Sequence, residues 1–508
     1  MSAKNKILDL KKLETIRGKF AKNQIVLCHG VFDLLHVGHI DYFKAAKKYG
    51  NILVVSVTND NFVNKGPGRP AFSINNRIKF LQEIECIDYL HISNDLTAEK
   101  VINNLKPNYY CKGIDYSKSH AKRDKNLKKE VNVLKKVKGK FKIINEVSFS
   151  SSQFINENDL QNFSQDCKKY INSLRKKFNL NQITRSLNLI KKKKVLIIGE
   201  TMIDRYITTE TVGKSGKEPM LVLKPKQEIK FLGGATYIAN LCSSFVKNIK
   251  IISFLGKENT EKKFVLKNLN KNIKHNFLLK KNSPTINKLR YLDDYKKTKI
   301  IGVYDLNDDL ILKNEENKFY SLLKKNINKF DIIIVSDYGH GIITEKIRKL
   351  ILQKSYKVFL NTQINSFNRG YHTVFKYKKV NTLVINEGEL RYELRDKYSK
   401  IEKLAKTLLK KISAQNIIVT SGRYGSVLIN KKNNLSISCP AFDQNNIDAV
   451  GAGDTFFGIS SLAIGSKLDS KVSMMMAAIS AGFAIDRVGN KSYYNFQTLK
   501  KHLTHIFK

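Results

Sequence analysis

The chain has 508 residues, of which 42% are hydrophobic, so it is too long for one ordinary core and has the apolar content of a globular protein. No apolar run approaches the ~20 residues that cross a bilayer, and MSAKNKILDLKKLET at the start carries charges where a signal peptide is apolar; the cytosol is the expected compartment and no membrane partner is expected. The formal net charge of +47 would suit nucleic acid, yet the lysines are spread along the whole chain, without an arginine-rich tail or a basic run interleaved with aromatics, so no nucleic-acid partner is expected.

In chain order, Ile25–Cys28 reads as a buried strand ending in a glycine turn at Gly30. His39–Tyr49 reads as a helix stopped by Gly50 in the C′ position, and Ile52–Thr58 as a strand. Ser73 is placed to cap a helix running to about Ile84; Leu96–Leu105 reads as helical and Tyr109–Cys111 as a strand. This alternation predicts a parallel sheet wrapped by helices, with a ligand outside the carboxyl ends of its strands at the topological switch. Helical spacing of Leu160, Phe163, Cys167, Tyr170, Ile171, Leu174, Ile183, Leu187 and Ile190 predicts a helical connector over residues 159–193. A second α/β pattern opens at Val195 and runs almost to the end. The expected division is residues 1–158, the connector, and residues 194–508. Six scattered cysteines without a CxxC pair argue against a zinc site or a disulfide framework.

The segment CHGVFDLLHVGH, Cys28 to His39, places His36 and His39 at the mouth of a helix that follows a strand. Unpaired N–H groups and partial positive charge at a helix N-terminus attract anions, and Gly38 lets a phosphate approach the backbone. Taken alone, two histidines near a cap are more often structural. In the second half, IDAVGAGDTFFGI turns through Gly451, Ala452 and Gly453 into a helix with Asp454 in its first turn. Such a turn offers several N–H groups to one anion and a carboxylate to accept a hydroxyl proton; GAGD alone also fits an ordinary helix cap.

The first segment resembles the HxGH nucleotidyltransferase superfamily. KGPGRP (Lys65 to Pro70), Arg77, CKGIDY (Cys111 to Tyr116) and SFSSS (Ser148 to Ser152) extend the resemblance towards the adenylyltransferase half of ADP-heptose synthases. The resemblance implies a Rossmann-like domain in which His36, His39 and Lys65 stabilise charge on the phosphates. It also implies nucleotide contacts from Gly30, Val31, Phe32, Gly38, Arg77, Gly113, Asp115, Ser150, Ser151 and Ser152.

The second half resembles the ribokinase-like (PfkB) sugar kinases, and within them the kinase half of the same synthases. GETMIDRY, FLGGATYIAN, PTINKLRYL, VSDYGHG, NEGE, VTSGRYG and GAGD carry that resemblance. It implies Asp454 as base and Gly451, Ala452, Gly453, Thr420, Gly422 and Gly425 at the adenine nucleotide. Asp204, Gly233, Gly234, Lys288, Arg290 and Asp337 would meet the sugar, and Asn386 with Glu389 would hold Mg²⁺ through water. Four positions depart from the family pattern: Tyr237 replaces the asparagine of GGAANVA, His340 a lysine, and Asn361 and Gln363 the charged residues of a DPK-type segment. The kinase also comes second, the reverse of the usual order.

The expectation is therefore an α/β protein with two doubly wound domains. It would phosphorylate a sugar or sugar phosphate with ATP and then join the 1-phosphate to a nucleotide from ATP or CTP. Alternatives left open are another sugar or polyol, a kinase half reduced to a sugar-phosphate sensor or scaffold, and nucleic-acid binding through the net charge. The partners expected are small-molecule sugar phosphates and nucleotides, with a homo-oligomer left open.

Overall fold

The computed structural model describes residues 6–63, 70–113, 125–144, 163–296, 298–432, 435–442, 450–485 and 494–507. The chain forms two compact units, Met1–Asn162 and Phe163–Lys508.

In the first unit, β1 (Ile7–Leu8), β2 (Ile25–Gly30), β3 (Ile52–Thr58), β4 (Tyr89–Ser93), β5 (Tyr109–Gly113) and β6 (Lys140–Ile144) form a sheet of order β1-β4-β3-β2-β5-β6. Every pair is parallel. Side chains alternate across a strand, and both faces here are apolar. Val26, Cys28, Leu53 and Val55 pack with Phe43, Ala46, Ile78 and Leu81 on one side. Ile25, Leu27, Ile52 and Val54 pack with Leu13, Ile16, Ile102 and Leu105 on the other. A sheet buried on two faces is why these strands read as continuous apolar runs. The strand order reverses between β2 and β5, so the end of β2 at Gly30 lies at the switch point.

Two details differ from the sequence reading. The helix after β2 spans Val37–Lys47, and Gly50 is not among the left-handed glycines. Instead, a Cβ on Gly50 would lie 2.5 Å from the Gln24 carbonyl oxygen, so glycine is needed there for close approach of two backbones. The helix expected from Leu96 begins at Glu99.

The helices Gln165–Arg175 and Leu180–Lys191, expected as a connector, belong to the second unit. Their apolar stripe, including Cys167, Ile171, Leu174, Ile183, Leu187 and Ile190, is buried. The Tyr170 hydroxyl donates to the Lys471 carbonyl (2.9 Å) and the Arg175 Nε to that of Ile506 (2.6 Å).

The strands of the second unit are β7 (Lys194–Gly199), β8 (Thr201–Lys214), β9 (Leu221–Gly233), β10 (Asn248–Gly256), β11 (Ile273–Lys280), β12 (Ile286–Asp293), β13 (Lys299–Asp305), β14 (Ile332–Asp337), β15 (Val358–Thr362), β16 (Lys379–Asn386), β17 (Ser413–Thr420), β18 (Ser426–Asn430) and β19 (Ser436–Cys439). Nine form the sheet β11-β10-β7-β14-β15-β16-β17-β18-β19, antiparallel only at β17/β18 and β18/β19. The other four form a smaller sheet, β13-β12-β8-β9. Leu196, Ile198, Ile333, Val335, Val358 and Leu360 anchor the large core beneath the main sheet. The order reverses between β7 and β14. Glu200 and Asp337 therefore stand at the switch, and Asp204 follows as the chain enters the smaller sheet.

Candidate active sites

In the first unit, His36 is the N-cap of helix Val37–Lys47, and its Nδ1 accepts from the Gly38 N–H at 3.1 Å. The His36 and His39 rings are 4.2 Å apart, and Phe32 meets His39 edge-on at 5.9 Å. The loop before the helix is strained, with Phe32 and Leu34 left-handed (φ 49° and 48°). Two neighbours tie it down. The buried Asp33 carboxylate accepts from the N–H groups of Ala71 and Phe72 (2.8 and 3.0 Å). Arg77 is 1% exposed and turned inward. It donates to the Phe72 carbonyl (3.0 Å), to the Val31 carbonyl and to the Asp60 carboxylate. Its guanidinium thus locks the loop that presents Val31 and Phe32. Gly113 ends β5, next to β2, and no atom among the described residues lies within 4 Å of where a Cβ would stand. Lys65, Asp115, Ser150, Ser151 and Ser152 lie outside the described residues.

The second unit brings together residues far apart in sequence. Parallel pairing of β8 with β12 sets Asp204 opposite Lys288, and the Arg290 guanidinium returns to the Asp204 Oδ1 at 2.5 Å. A Cβ on Gly233 would sit 2.5 Å from the Asp204 Oδ2. Glycine there keeps room beside the oxygen that Arg290 leaves uncovered. Gly234 is left-handed (φ 54°) and starts the helix Gly234–Ser243. Lys288 is buried, its ammonium 5.6 Å from the Tyr304 ring and 5.7 Å from that of Tyr338. Burial lowers the Lys288 pKa, while Asp204 and Asp454 oppose the shift.

Asp454 lies in the first turn of helix Ala452–Gly465, behind Gly451 at φ 84°. Among the described residues no side chain caps this helix end, and the N-terminus of a helix is where backbone N–H groups and partial positive charge suit an anion. The Asp454 Oδ1 accepts from the Tyr338 hydroxyl at 2.7 Å. Burial pushes the Asp454 pKa up to about 6, with Asp204 raising it and Tyr338 and Lys288 lowering it. Thr420 ends β17, beside the tight turn Gly422–Tyr424. A Cβ on Gly425 there would meet the Cys439 carbonyl oxygen at 2.2 Å.

Several expected residues are engaged internally. Asp337 is buried and accepts from the Gly339 N–H (3.1 Å) and the Tyr377 hydroxyl (2.7 Å). Asn386 and Glu389 form a capping box at the start of helix Glu387–Leu394. Both Glu389 oxygens accept backbone N–H groups, from Ile364 and Asn386. Burial raises the Glu389 pKa to about 7. Tyr237 is buried and hydrogen-bonded to the Thr455 hydroxyl (2.7 Å), behind the turn that carries Asp454. The Asn361 amide donates to the Val384 carbonyl at 3.0 Å. Two residues were missed in the sequence reading, Glu200 and Tyr338. Tyr338 directly follows the recognised Asp337 at the end of β14, and Glu200 follows the glycine that ends β7 within the GETMIDRY segment, which was the only signal available.

The pfkB family carbohydrate kinase model matches residues 192–492, more than half of the 508 residues. The chain belongs to that family. A cytidylyltransferase-like model matches residues 27–195, so this pfkB-family chain joins a sugar-kinase domain to a domain of the nucleotidyltransferase class. The Bifunctional protein HldE of Aliarcobacter butzleri (strain RM4018) is 28% identical over 309 residues, 59% of this chain and 63% of that protein. The Bifunctional protein HldE of Helicobacter pylori (strain P12) is 42% identical over 114 residues, 22% of this chain and 24% of its own length. The chain thus spans under two thirds of these curated relatives. Ribokinase from Giardia lamblia matches at 15% identity and a TM-score of 0.49, covering 61% of this chain and 99% of that one. No helix among the described residues is long and apolar enough to cross a membrane.

Proposed function

We propose that the chain activates a sugar in two steps, with D-glycero-D-manno-heptose 7-phosphate as the sugar phosphate that the resemblance favours. In the first step the anomeric hydroxyl attacks the γ-phosphorus of ATP. A new O–P bond forms, the bond from the γ-phosphorus to the bridging oxygen breaks, ADP leaves, and the hydroxyl proton passes to Asp454. Asp204 and Arg290 would orient the sugar, and the N-terminus of helix Ala452–Gly465 would face the charge building on the transferred group. In the second step the sugar 1-phosphate attacks the α-phosphorus of a nucleoside triphosphate and expels pyrophosphate. His36, His39 and Lys65 would stabilise the phosphates there, without a covalent intermediate.

The observation that carries this reading is the meeting of Asp204, Lys288, Arg290 and Asp454 at one sheet end, with Asp454 in the first turn of helix Ala452–Gly465. A carboxylate with a pKa near 6 is ionised at pH 7 and still basic enough to take a proton. Glu389 gives both oxygens to backbone N–H groups, so Asn386 and Glu389 would hold a hydrated Mg²⁺ through water rather than directly, where the cation would neutralise charge between phosphates. CTP is the second reading for the nucleotidyl donor, favoured by the cytidylyltransferase-like match over residues 27–195.

A mass-spectrometric screen of ATP and CTP against sugars and sugar phosphates tests the substrates. Asp454→Asn tests the base: sugar phosphorylation should fall by ~10²–10⁴-fold while nucleotidyl transfer to a supplied sugar 1-phosphate persists. A near wild-type phosphorylation rate would remove Asp454 from the mechanism.

A further inference from the structure

Tyr338 is buried and tethered at three points. Its N–H donates to the Glu200 Oε2 at 3.1 Å, and the His340 N–H two residues on donates to the Oε1 of the same carboxylate at 3.1 Å. Its carbonyl accepts from the Asn365 and Asn368 side-chain amides (2.9 and 2.7 Å). Its hydroxyl reaches the Asp454 Oδ1 at 2.7 Å. The turn between Tyr338 and His340 runs through Gly339 at φ 74°, where a Cβ would lie 2.5 Å from the Asn368 amide nitrogen. The phenol is therefore aimed by a frame that leaves it little freedom to turn away.

We infer that Tyr338, held by Glu200, is a positioning residue for phosphoryl transfer: its hydroxyl occupies one Asp454 oxygen and leaves the other for the sugar hydroxyl. The inference rests on the reading of Asp454 as the base. Burial keeps the phenol protonated, since its pKa is pushed well above the ordinary value, so it acts as a donor throughout the working range. A hydrogen bond donated to a carboxylate favours the ionised form. The other groups that face Asp454 are Asp204 from β8 and Lys288 from β12, with Glu389 across from helix Glu387–Leu394. Asp204 and burial raise the Asp454 pKa, whereas Lys288 and Tyr338 lower it. Removing the phenolic donor must therefore move the Asp454 pKa upward.

The test compares Tyr338→Phe with the intact chain in two measurements. The first is the pH profile of kcat/KM with ATP and D-glycero-D-manno-heptose 7-phosphate. Activity requires the carboxylate, so it is lost as the pH falls through the Asp454 pKa. The variant should shift this acid limb upward by ~1–2 pH units, the equivalent of one hydrogen bond to a charged group, with activity restored on the alkaline side. The second is a ¹³C NMR titration of the labelled Asp454 carboxylate, assigned by its absence in Asp454→Asn, which needs no substrate and reports the same shift. A uniform loss at every pH, or a titration that does not move, overturns the role of Tyr338. Full kinase activity in Asp454→Asn would instead overturn the base on which the inference rests.

Discussion

Replacing Arg77 by methionine separates a structural role from nucleotide contact. The guanidinium donates to two carbonyl oxygens, of Val31 and Phe72, and pairs with Asp60, whose side chain is 36% exposed. Methionine keeps the length and apolar bulk but leaves both carbonyls without this donor, at ~1–3 kcal/mol each. The half-exposed Asp60 pair adds less, because solvent screens it. The two carbonyls sum to about 2–6 kcal/mol, a large share of the ~5–15 kcal/mol that holds a domain together. Hydrogen exchange resolved by peptide is the assay. Protection should drop in β2, β3 and helix Ile74–Gln82, while the core strands of the second unit serve as an internal reference. Arg77→Lys, which keeps the charge but loses the planar fork of donors, should fall between. If protection in the first unit is unchanged and only the Michaelis constant for the nucleotide rises, Arg77 faces the ligand and the clamp described here is wrong.

His39→Ala should leave sugar phosphorylation intact and slow pyrophosphate release by an amount equivalent to ~3–4 kcal/mol of transition-state stabilisation; an unchanged rate would rule out phosphate contact by that ring. Asp204→Ala should unfold at lower denaturant than Asp204→Asn. It strands the Arg290 guanidinium, 13% exposed on its side chain, at a cost of ~3–5 kcal/mol, and equal stability of the two variants would show that the pair opens freely.

Much of the fold was legible because both parallel sheets are buried on two faces, leaving apolar runs such as Ile25–Leu27 and Val195–Ile198 bounded by glycine. The histidine pair and the turn into Asp454 were legible for the same reason: a strand end, a glycine and a helix N-terminus occur together in a few residues. Gly50 was misread because its reason is non-local, namely the approach of Gln24 across a strand. Arg77 was placed at the nucleotide for a similar reason. An arginine beside a phosphate loop looks alike in sequence whether it points outward to an anion or inward to Val31 and Asp60. Glu200 and Tyr338 were passed over because their roles depend on register across the switch between β7 and β14, which the chain pattern does not encode. The connector was separated from the second unit although its apolar stripe demanded a partner, and that partner, around Lys471 and Ile506, comes some 300 residues later.

The four departures from the family pattern do not act alike. Tyr237 places its hydroxyl on that of Thr455, behind the turn that carries Asp454, so it supports that helix. Asn361 spends its amide on the neighbouring strand. His340 is different: it is 1% exposed, and neither ring nitrogen has a partner among the described residues. Burial, with Lys288 and Lys280 next, drives its pKa down to about 3, so it carries no charge at neutral pH. The Lys280 ammonium meanwhile donates to the carbonyls of His340 (3.1 Å) and Asn307 (2.7 Å). A lysine side chain at position 340 would bring a third ammonium into a space where two already depress a neighbouring imidazole. The neutral ring thus accompanies a region whose positive charge is carried by Lys280 and Lys288, and the departure at His340 reads as a redistribution of charge that leaves Asp204, Arg290 and Asp454 in place.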